Sequence, residues 1–421
     1  MIRHCRRFSL SSPFVAPFKS IILYIINFKT PLVSPEVRPY LFCAAELHNG
    51  QGPFGGYSTV WLAHDTVIKR YVALKVNTAD ALPREATVLR SLSTPRSSTS
   101  LPHQGPDLVP ILLDQFEVQG PNGTHTCYTT APAQCNLREI SFSRLFPLDV
   151  ARALCYGLTQ AVVYTHSQGY VHGDIHLNNV LIKPPSNFDT LSVKELYEKY
   201  GKPETVPITR CDGKRLPPNV PTKAVKPLLL GKYAEKLTLA DVRPLLSDFG
   251  EAFAPASEIR LGKDCHTPPA FRSPEARFDP QGPLTYSSDI VGMKPIFSTD
   301  IVPDDETVAQ HMDVLGPMPQ EWWQRGEGRS KFFTEDGCPT EAYLENERPP
   351  FEESFEIDIQ KWRRKWRGAI EEEEKAVFLD VIRRMLAFRP EERPTAKDVL
   401  ESEWIAKWAL PDYERSLNPS C

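Results

Sequence analysis

The chain has 421 residues, 41% of them hydrophobic, and a formal net charge of -4, which is enough for two domains or lobes with a sizeable core and gives no global pull toward nucleic acid or a membrane. Its nine cysteines are scattered, odd in number and without a C-x-x-C pair, so reduced thiols are expected rather than a disulfide framework or a zinc site. Proline is abundant, 40 of 421 residues, about twice ordinary usage, which predicts long irregular connections.

Residues 1 to about 45 differ from the rest. Arg3, Arg6, Arg7, Lys19 and Lys29 precede the first acidic residue, Glu36. The apolar run Ile21–Phe28 is too short to span a bilayer. A basic, Ser-containing start of this kind is similar to a mitochondrial transit peptide. Prolines 13, 17, 31 and 35 interrupt any amphipathic helix and favour a plain extension or a misread first exon. Next, Gly50–Trp61 is glycine-rich and runs into β-branched residues. Glycine lets backbone approach phosphates closely. No strand is evident before Gly50. The run Tyr71–Val76 predicts a strand with Lys75 inside it, and a lysine there needs a partner. The helix expected over Leu82–Leu92 offers Glu85. Residues 93–107 read as a surface loop. Strands are expected over Val109–Glu117 and His125–Thr130, followed by a hinge at Thr130–Ala133. From Pro147, the repeat Val150, Leu154, Leu158, Val162 predicts a long helix, with the proline where helices tolerate it.

That helix leads to Val171-His172-Gly173-Asp174-Ile175-His176-Leu177-Asn178-Asn179-Val180-Leu181. Apolar residues flank a short polar loop, so two buried strands are expected to hold it. Its Asp and Asn have the spacing at which, in phosphoryl transfer, the Asp orients or deprotonates a hydroxyl and the Asn holds a metal ion. A second metal ligand should follow another strand, and Leu245-Leu246-Ser247-Asp248-Phe249-Gly250 supplies it. Either motif alone is a common polar turn. Together, and in this order, they point to phosphotransfer. The proline-rich stretch between them reads as an inserted spacer with one short helix near Leu191–Tyr200, and a solvated linker is its plain reading.

Taken together, these residues resemble the eukaryotic protein kinases over about residues 46–410. Val72-Ala73-Leu74-Lys75 resembles the strand lysine motif and Glu85 its helix partner. His172-Gly173-Asp174 with Asn179 resembles the catalytic loop, and Asp248-Phe249-Gly250 the metal triplet. Ser273-Pro274-Glu275 resembles the end of the activation segment, and Arg389-Pro390 with Arg393-Pro394-Thr395 the C-terminal subdomain, where Arg393 would pair with Glu275. Gly56–Trp61 and the spacer resemble the serine/arginine-rich (SR) protein kinases, particularly their fungal relatives. The resemblance implies an α+β, bilobal kinase fold: an N-lobe over about 46–130, a C-lobe over about 134–410, a spacer over about 184–244, and a tail over 411–421. It implies ATP and Mg2+ as cofactors and serines of Arg/Ser-rich splicing factors as substrates. A monomer acting without direct nucleic-acid or membrane binding, in the cytoplasm or nucleus, is expected.

The resemblance also implies the roles of the site residues. Asp174 would accept or orient the serine hydroxyl, Lys75 would clamp phosphate, and Asn179 and Asp248 would hold magnesium. Gly55, Gly56, Ser58, Val60, Ala73, Lys75, Glu85 and Leu181 would contact the nucleotide or support its grip. Leu89, His172 and Phe249 would stack as an apolar spine. The pattern departs in four places. Pro53 and Ser58 stand where glycines would align. His176 replaces a lysine, so a neutral imidazole would offer one hydrogen bond to the γ-phosphate without a fixed charge. Gly173 replaces an arginine, which leaves no obvious acceptor for an activation-loop phosphate. Finally, the helix that begins at Tyr286–Ile290 meets Pro295 after little more than one turn, so a shortened central helix is expected. That shortening suggests an inactive pseudokinase or truncated gene product as the second reading. A third is an aminoglycoside- or choline-type phosphotransferase, whose loop His172–Asn179 also resembles, although the activation-segment and C-terminal motifs argue against it. Further on, Thr307–Leu315 and Ala376–Leu386 read as helices, the acids 371–374 as a solvated helix start, and Trp322, Trp323, Trp362 and Trp366 as packing residues.

Overall fold

A computed structural model describes residues 40–46, 58–94, 105–120, 123–142, 144–210, 212–216, 222–268, 271–293, 312, 315–316, 318–325, 334, 340–341, 349–366 and 368–418. The glycine-rich loop with Gly55 and Gly56, the residues after Met293 up to 311, Pro295 among them, and the side chain of Trp366 lie outside this set. Of the helix expected over Thr307–Leu315, Met312 and Leu315 are described, and both are helical. Helices and sheets are mixed, in keeping with an α+β chain. Two compact units divide it: residues 1–82, 113–132 and 186–229, and residues 83–112, 133–185 and 230–421.

The first unit holds a five-stranded antiparallel sheet. In chain order its strands are β1 (Tyr40–Glu46), β2 (Ser58–Asp65), β3 (Arg70–Asn77), β4 (Asp114–Gly120) and β5 (Gly123–Thr130), arranged β1-β2-β3-β5-β4. β1 lies within the stretch read as an extension, so the strand missing from the sequence reading exists and pairs with β2. Residues 109–113, expected to be strand, are not. The chain there follows a 3-10 turn at Gly105–Leu108. Trp61, Ala63, Val72, Leu74, Val76, Val118 and Cys127 form the core on this sheet.

The insert corrects the solvated-linker reading. Val225, on the short strand Lys223–Val225, joins that same core. Phe188 and Leu196 are buried. Asp189 accepts the Tyr71 N–H at 2.9 Å and the Arg70 Nε–H at 3.1 Å. The Tyr71 hydroxyl donates to the Leu191 carbonyl at 3.0 Å. The expected short helix runs Val193–Tyr200, opened by a reciprocal Ser192–Glu195 capping box. Apolar residues spaced along a proline-rich segment thus bury against a distant strand instead of facing water.

The second unit is mainly helical. It opens with helix α1 (Arg84–Ser93) and contains a small sheet of β6 (Cys135–Asn136), β7 (Val180–Ile182) and β10 (Pro244–Leu246), in the order β10-β7-β6. Strands β8 (Thr205–Pro207) and β9 (Lys223–Val225) form the hairpin of the insert in the first unit. A short helix, α2 (Leu137–Ser141), is capped by Asn136. The long helix α3 spans Leu148–Ser167, with Pro147 as its N-cap residue and the expected Val150, Leu154, Leu158 and Val162 all buried. Helix α4 (Val193–Tyr200) lies in the insert of the first unit, whereas α5 (Pro274–Phe278) and α6 (Tyr286–Gly292) belong to the second.

Two buried ion pairs organise the C-terminal part. Glu374, in the helix Glu372–Met385, is 1% exposed and binds Arg152 of α3, with Arg152 Nε donating at 2.8 Å and Trp404 Nε1 at 3.2 Å. The acidic helix start is therefore not wholly solvated, because its last glutamate turns inward to a charge partner. Trp322 is buried as expected, whereas Trp362 is 47% exposed and does not serve as packing.

The second pair is Arg393 with Glu275, as the sequence predicts. The guanidinium donates to Glu275 at 2.6 and 2.9 Å, and to the carbonyls of Ala387, Phe388 and Ser287 at 2.7, 2.8 and 3.1 Å. All of its N–H groups are satisfied, which is what makes a fully buried guanidinium tolerable. Glu275→Ala should cost about 3–5 kcal/mol, since it strands that charge. Replacing both partners with apolar residues should recover most of the loss. Thermal unfolding of the three variants measures this, and a single-variant cost below about 1 kcal/mol would contradict it.

Candidate active site

The loop between α3 and β7 is fixed by its backbone. Val171 exchanges hydrogen bonds with Phe253, at 2.8 and 3.1 Å. The next two N–H groups, of His172 and Gly173, both donate to the Asp289 carboxylate of α6, at 2.7 and 2.9 Å. His166, at the end of α3, meets the same carboxylate through Nε2 at 2.9 Å. Asp289 is 2% exposed. Burial pushes its carboxyl up, but the hydrogen bond and charge of His166 and the Gly173 N–H outweigh this and hold it below the ordinary carboxylate range.

Gly173 follows from this geometry. Its φ is +78°, and a Cβ there would lie 2.8 Å from the Glu251 carbonyl oxygen. The position thus favours glycine on both steric and conformational grounds, which gives a local physical reason for the arginine to be absent. Gly292 is the second such case. A Cβ on it would sit 2.6 Å from the Ile175 carbonyl oxygen, so α6 can lie against the loop only because that side chain is missing.

The loop brings Asp174, His176 and Asn179 together. The Asn179 amide nitrogen donates to the Asp174 carbonyl at 2.9 Å and to its carboxylate at 3.2 Å. His176 Nε2 lies 3.4 Å from Asp174 Oδ2 and 3.4 Å from the Asn179 amide nitrogen. Asp174 Oδ1 and His176 Nδ1 are buried without a hydrogen-bond partner. The His176 ring also lies 5.3 Å from Phe271.

The second motif is stitched directly to this loop. β7 and β10 pair antiparallel, with Leu181 opposite Leu245. Beyond them, the Ser247 N–H and hydroxyl both donate to the Asn179 carbonyl, at 2.8 and 3.0 Å. Asp248 follows at once in the left-handed region, φ 65°, a conformation that costs a non-glycine residue and collects at functional sites. Phe249 is fully buried, its ring 4.6 Å from His172. Its N–H donates to Glu85 Oε1 at 3.1 Å, so the α1 glutamate holds the triplet. Leu89, on the same helix, is buried too. His172 accepts the Asp174 N–H at Nδ1, 3.2 Å, and meets the Ser247 carbonyl at Nε2, 3.0 Å. That assigns the neutral Nε2–H tautomer, since Nε2 must donate to a carbonyl.

A set of contacts invisible in the sequence ties α1 to the segment after Phe249. Arg84 Nη1 donates to Glu258 at 2.8 and 3.0 Å and to the Ala252 carbonyl at 3.3 Å. Arg260 bridges Glu251 and Glu258, and His266 meets Glu251 at 2.9 Å. Partial burial raises the Glu258 carboxyl, but the two arginines hold it below its usual range. Arg84 and Glu258 are far apart in sequence and carry ordinary surface charges, so they give no local signal of their pairing.

In the first unit, Lys75 lies on β3, flanked in register by Val60 and Tyr128. It is 9% exposed, with Nζ 6.0 Å from the Tyr128 ring centre. Ser58 starts β2, and Ala73 lies opposite Leu62 and Thr130. Among the described residues, no group of three or more His, Cys, Asp or Glu could hold a metal ion, and no helix is long and apolar enough to cross a membrane.

Comparison with known proteins follows the same line. A serine/threonine protein kinase of Aspergillus fumigatus is 26% identical over 385 residues, covering 84% of this chain and 82% of that protein. Protein kinase dsk1 of Schizosaccharomyces pombe is 36% identical over 135 residues, 31% of this chain and 25% of its own length. SRSF protein kinase 3 of Mus musculus is 27% identical over 135 residues, 31% of this chain and 24% of its own. No family model matches. The chain is thus similar to proteins named as serine/threonine protein kinases, an SRSF protein kinase among them.

Proposed function

We propose that the chain transfers the terminal phosphate of Mg-ATP to serine hydroxyls in Arg/Ser-rich proteins. One observation carries the reading: Asn179 holds Asp174 through two hydrogen bonds, in a loop whose N–H groups hang from a buried carboxylate. A reacting hydroxyl needs an acceptor that does not reorganise.

In this reading Asp174 orients the serine hydroxyl with its carboxylate, whose Oδ1 lacks a protein partner. Asn179 commits its nitrogen to Asp174, so its Oδ1 is the atom left for a metal. Asp248 would offer a carboxylate oxygen. One amide and one carboxylate, both hard oxygen donors, suit Mg2+, which takes few protein ligands and fills its shell with phosphate oxygens and water. When bound, the ion neutralises charge on the transferring phosphoryl group. His176 would donate one hydrogen bond to that group in place of a fixed charge. The roles implied for Lys75, Glu85, Ser58, Val60, Ala73 and Leu181, and for Gly55 and Gly56, belong to the same proposal, as does the bilobal arrangement.

A second reading, nucleotide binding without transfer, draws on α6, which closes at Gly292 after seven residues. The two separate experimentally. Mg-ATP at about 100 times its Kd should stabilise the protein by about 2.7 kcal/mol, seen as a raised unfolding temperature. Asp174→Ala should keep that shift and lower transfer to an Arg-Ser peptide by about 10²–10⁴-fold, while Asp248→Asn should remove the magnesium dependence of the shift. A shift without transfer in the unaltered chain would establish the second reading. Folded protein with no shift would sink both.

The Arg84–Glu258 tie supplies negative charge to the activation segment without a phosphate. Phosphatase treatment should therefore leave the transfer rate unchanged. Glu258→Ala should lower it by about two- to fivefold, the worth of one partly exposed ion pair. A large gain on activation-segment phosphorylation would refute this account of the tie.

A further inference from the structure

Charge is unevenly distributed along this chain. From Gly201, just past α4, to Lys226 the insert carries six basic residues against two acidic ones, a net charge of +4, while the remaining residues carry -8. The global balance conceals a local basic segment. Both of its acids are already engaged. Glu204 accepts from Lys226 Nζ at 2.8 Å, and Asp212 accepts from Arg210 Nε and Nη2 at 2.8 and 2.6 Å. In the neighbouring α4, Glu195 closes the cap with Ser192, and Glu198 lies 3.7 Å from Lys194. Lys202, Lys214, Arg215 and Lys223 are left, all exposed and, among the described residues, without an ion pair.

The fold sets these four cations on a fixed frame. The hairpin ladder runs from Glu204, whose carbonyl accepts the Lys226 N–H at 2.8 Å, to Ile208, whose N–H donates to the Thr222 carbonyl at 2.9 Å. An extended strand of that length covers about 13 Å. Lys202 precedes one end of the ladder. Lys214 and Arg215 follow the other end, and Lys223 stands beside it, opposite Pro207. The turn there is itself ordered. The Gly213 N–H donates to the Arg210 carbonyl at 3.1 Å, and the Lys214 N–H donates to Asp212 at 3.2 Å. Val225 is buried in the core of the five-stranded sheet, so the hairpin lies against its own unit, while Thr205, Val206 and Pro207 face solvent.

This arrangement selects among anions. A single phosphate is held best by converging donors, most often the paired N–H groups of a guanidinium. Three lysines and one arginine at both ends of a ladder are separate point charges, which suit a chain of repeated charges. A stiff duplex is read by an element that enters its groove, and this hairpin is laid against a sheet. A flexible single strand can follow the cations across the surface. The segment 201–226 holds no aromatic residue on which a base could stack. An arginine-rich peptide has the wrong sign.

We propose that the β8–β9 hairpin binds single-stranded nucleic acid through its sugar–phosphate backbone, without reading bases. This departs from the expectation, drawn from the whole-chain charge, that the protein makes no direct contact with nucleic acid. It is independent of the phosphotransfer reading.

The probe is a fluorescein-labelled single-stranded RNA of mixed sequence, titrated with the full chain and followed by anisotropy. Kd at physiological salt should lie at about 10⁻⁴–10⁻⁶ M. Affinity should fall about 50-fold between about 50 and about 200 mM salt, as four neutralised phosphates on a single strand require. Replacing Lys214 and Arg215 together with Ala should reduce that fall to about sevenfold, with the unfolding temperature unchanged. Arg215→Lys should bind as the unaltered chain does, because only the charge is used. An unchanged salt dependence in the double variant, or a loss in Arg215→Lys equal to that in Arg215→Ala, overturns the proposal. So does the absence of RNA binding at about 50 mM salt, or tighter binding of a phosphoserine peptide or of a DNA duplex of the same length.

Discussion

A carboxylate buried among protein atoms must be hydrogen-bonded or it will not stay ionised, and Asp289 is where that requirement shapes this molecule. Its two oxygens take the N–H groups of His172 and Gly173 and the Nε2 of His166. Consecutive backbone N–H groups can converge on one carboxylate only if the chain turns sharply between them. The turn is made at Gly173, with φ at +78°. Since the Glu251 carbonyl crowds the missing Cβ, a single residue reconciles the loop with both α6 and the segment after Phe249. Charge-assisted hydrogen bonds of this kind are about twice as strong as neutral ones, so the backbone before Asp174 is among the best-determined parts of the chain.

The remaining polar groups of the site are consequences of that fixed backbone. Once His172 is held, its ring can accept the Asp174 N–H and donate to the Ser247 carbonyl. Ser247 returns two hydrogen bonds to the Asn179 carbonyl. A circuit of hydrogen bonds runs from one motif to the other, through backbone groups and through the side chains of His172 and Ser247. Glu85 extends it to α1 by accepting the Phe249 N–H, which ties the helix position to the conformation of the chain after Asp248.

The sequence makes some of this legible and hides the rest for definite reasons. Short polar motifs between apolar runs can be read because the strands that carry them, β7 and β10, are short apolar runs with Val180, Ile182, Leu245 and Leu246 buried. The helix after Pro147 can be read from its period, and the Arg393–Glu275 pair from family motifs. β1 is hidden, because it is set in a stretch whose composition signals an extension and its pairing is with a partner further along the chain. The insert looks like a linker because its apolar residues, Phe188, Leu196 and Val225, are isolated among prolines and show no period. They are buried by a sheet formed elsewhere. Glu374 sits among solvent-facing acids in the sequence and is distinguished only by Arg152, which lies far away along the chain. In each case the missing information is a non-local contact, and local propensity carries none of it.

A shortened α6 would not unfasten the loop. Asp289 lies in the first turn, and that turn is held from several directions independent of helix length. Thr285 and Ser288 form a reciprocal cap. The Ser288 hydroxyl also donates to Glu275 at 3.2 Å, and Arg393 donates to the Ser287 carbonyl at 3.1 Å. The buried Arg393–Glu275 pair thus secures the same turn that presents Asp289, while Gly292 lets the end of the helix rest against Ile175. A longer helix would add buried apolar area and stability, about 2–5 kcal/mol for each large side chain. The geometry of Asp174 depends instead on a capped turn and one ion pair, both of which this chain retains. A loss of helix length would therefore bear on how stable the second unit is, and only through that on how the loop is held.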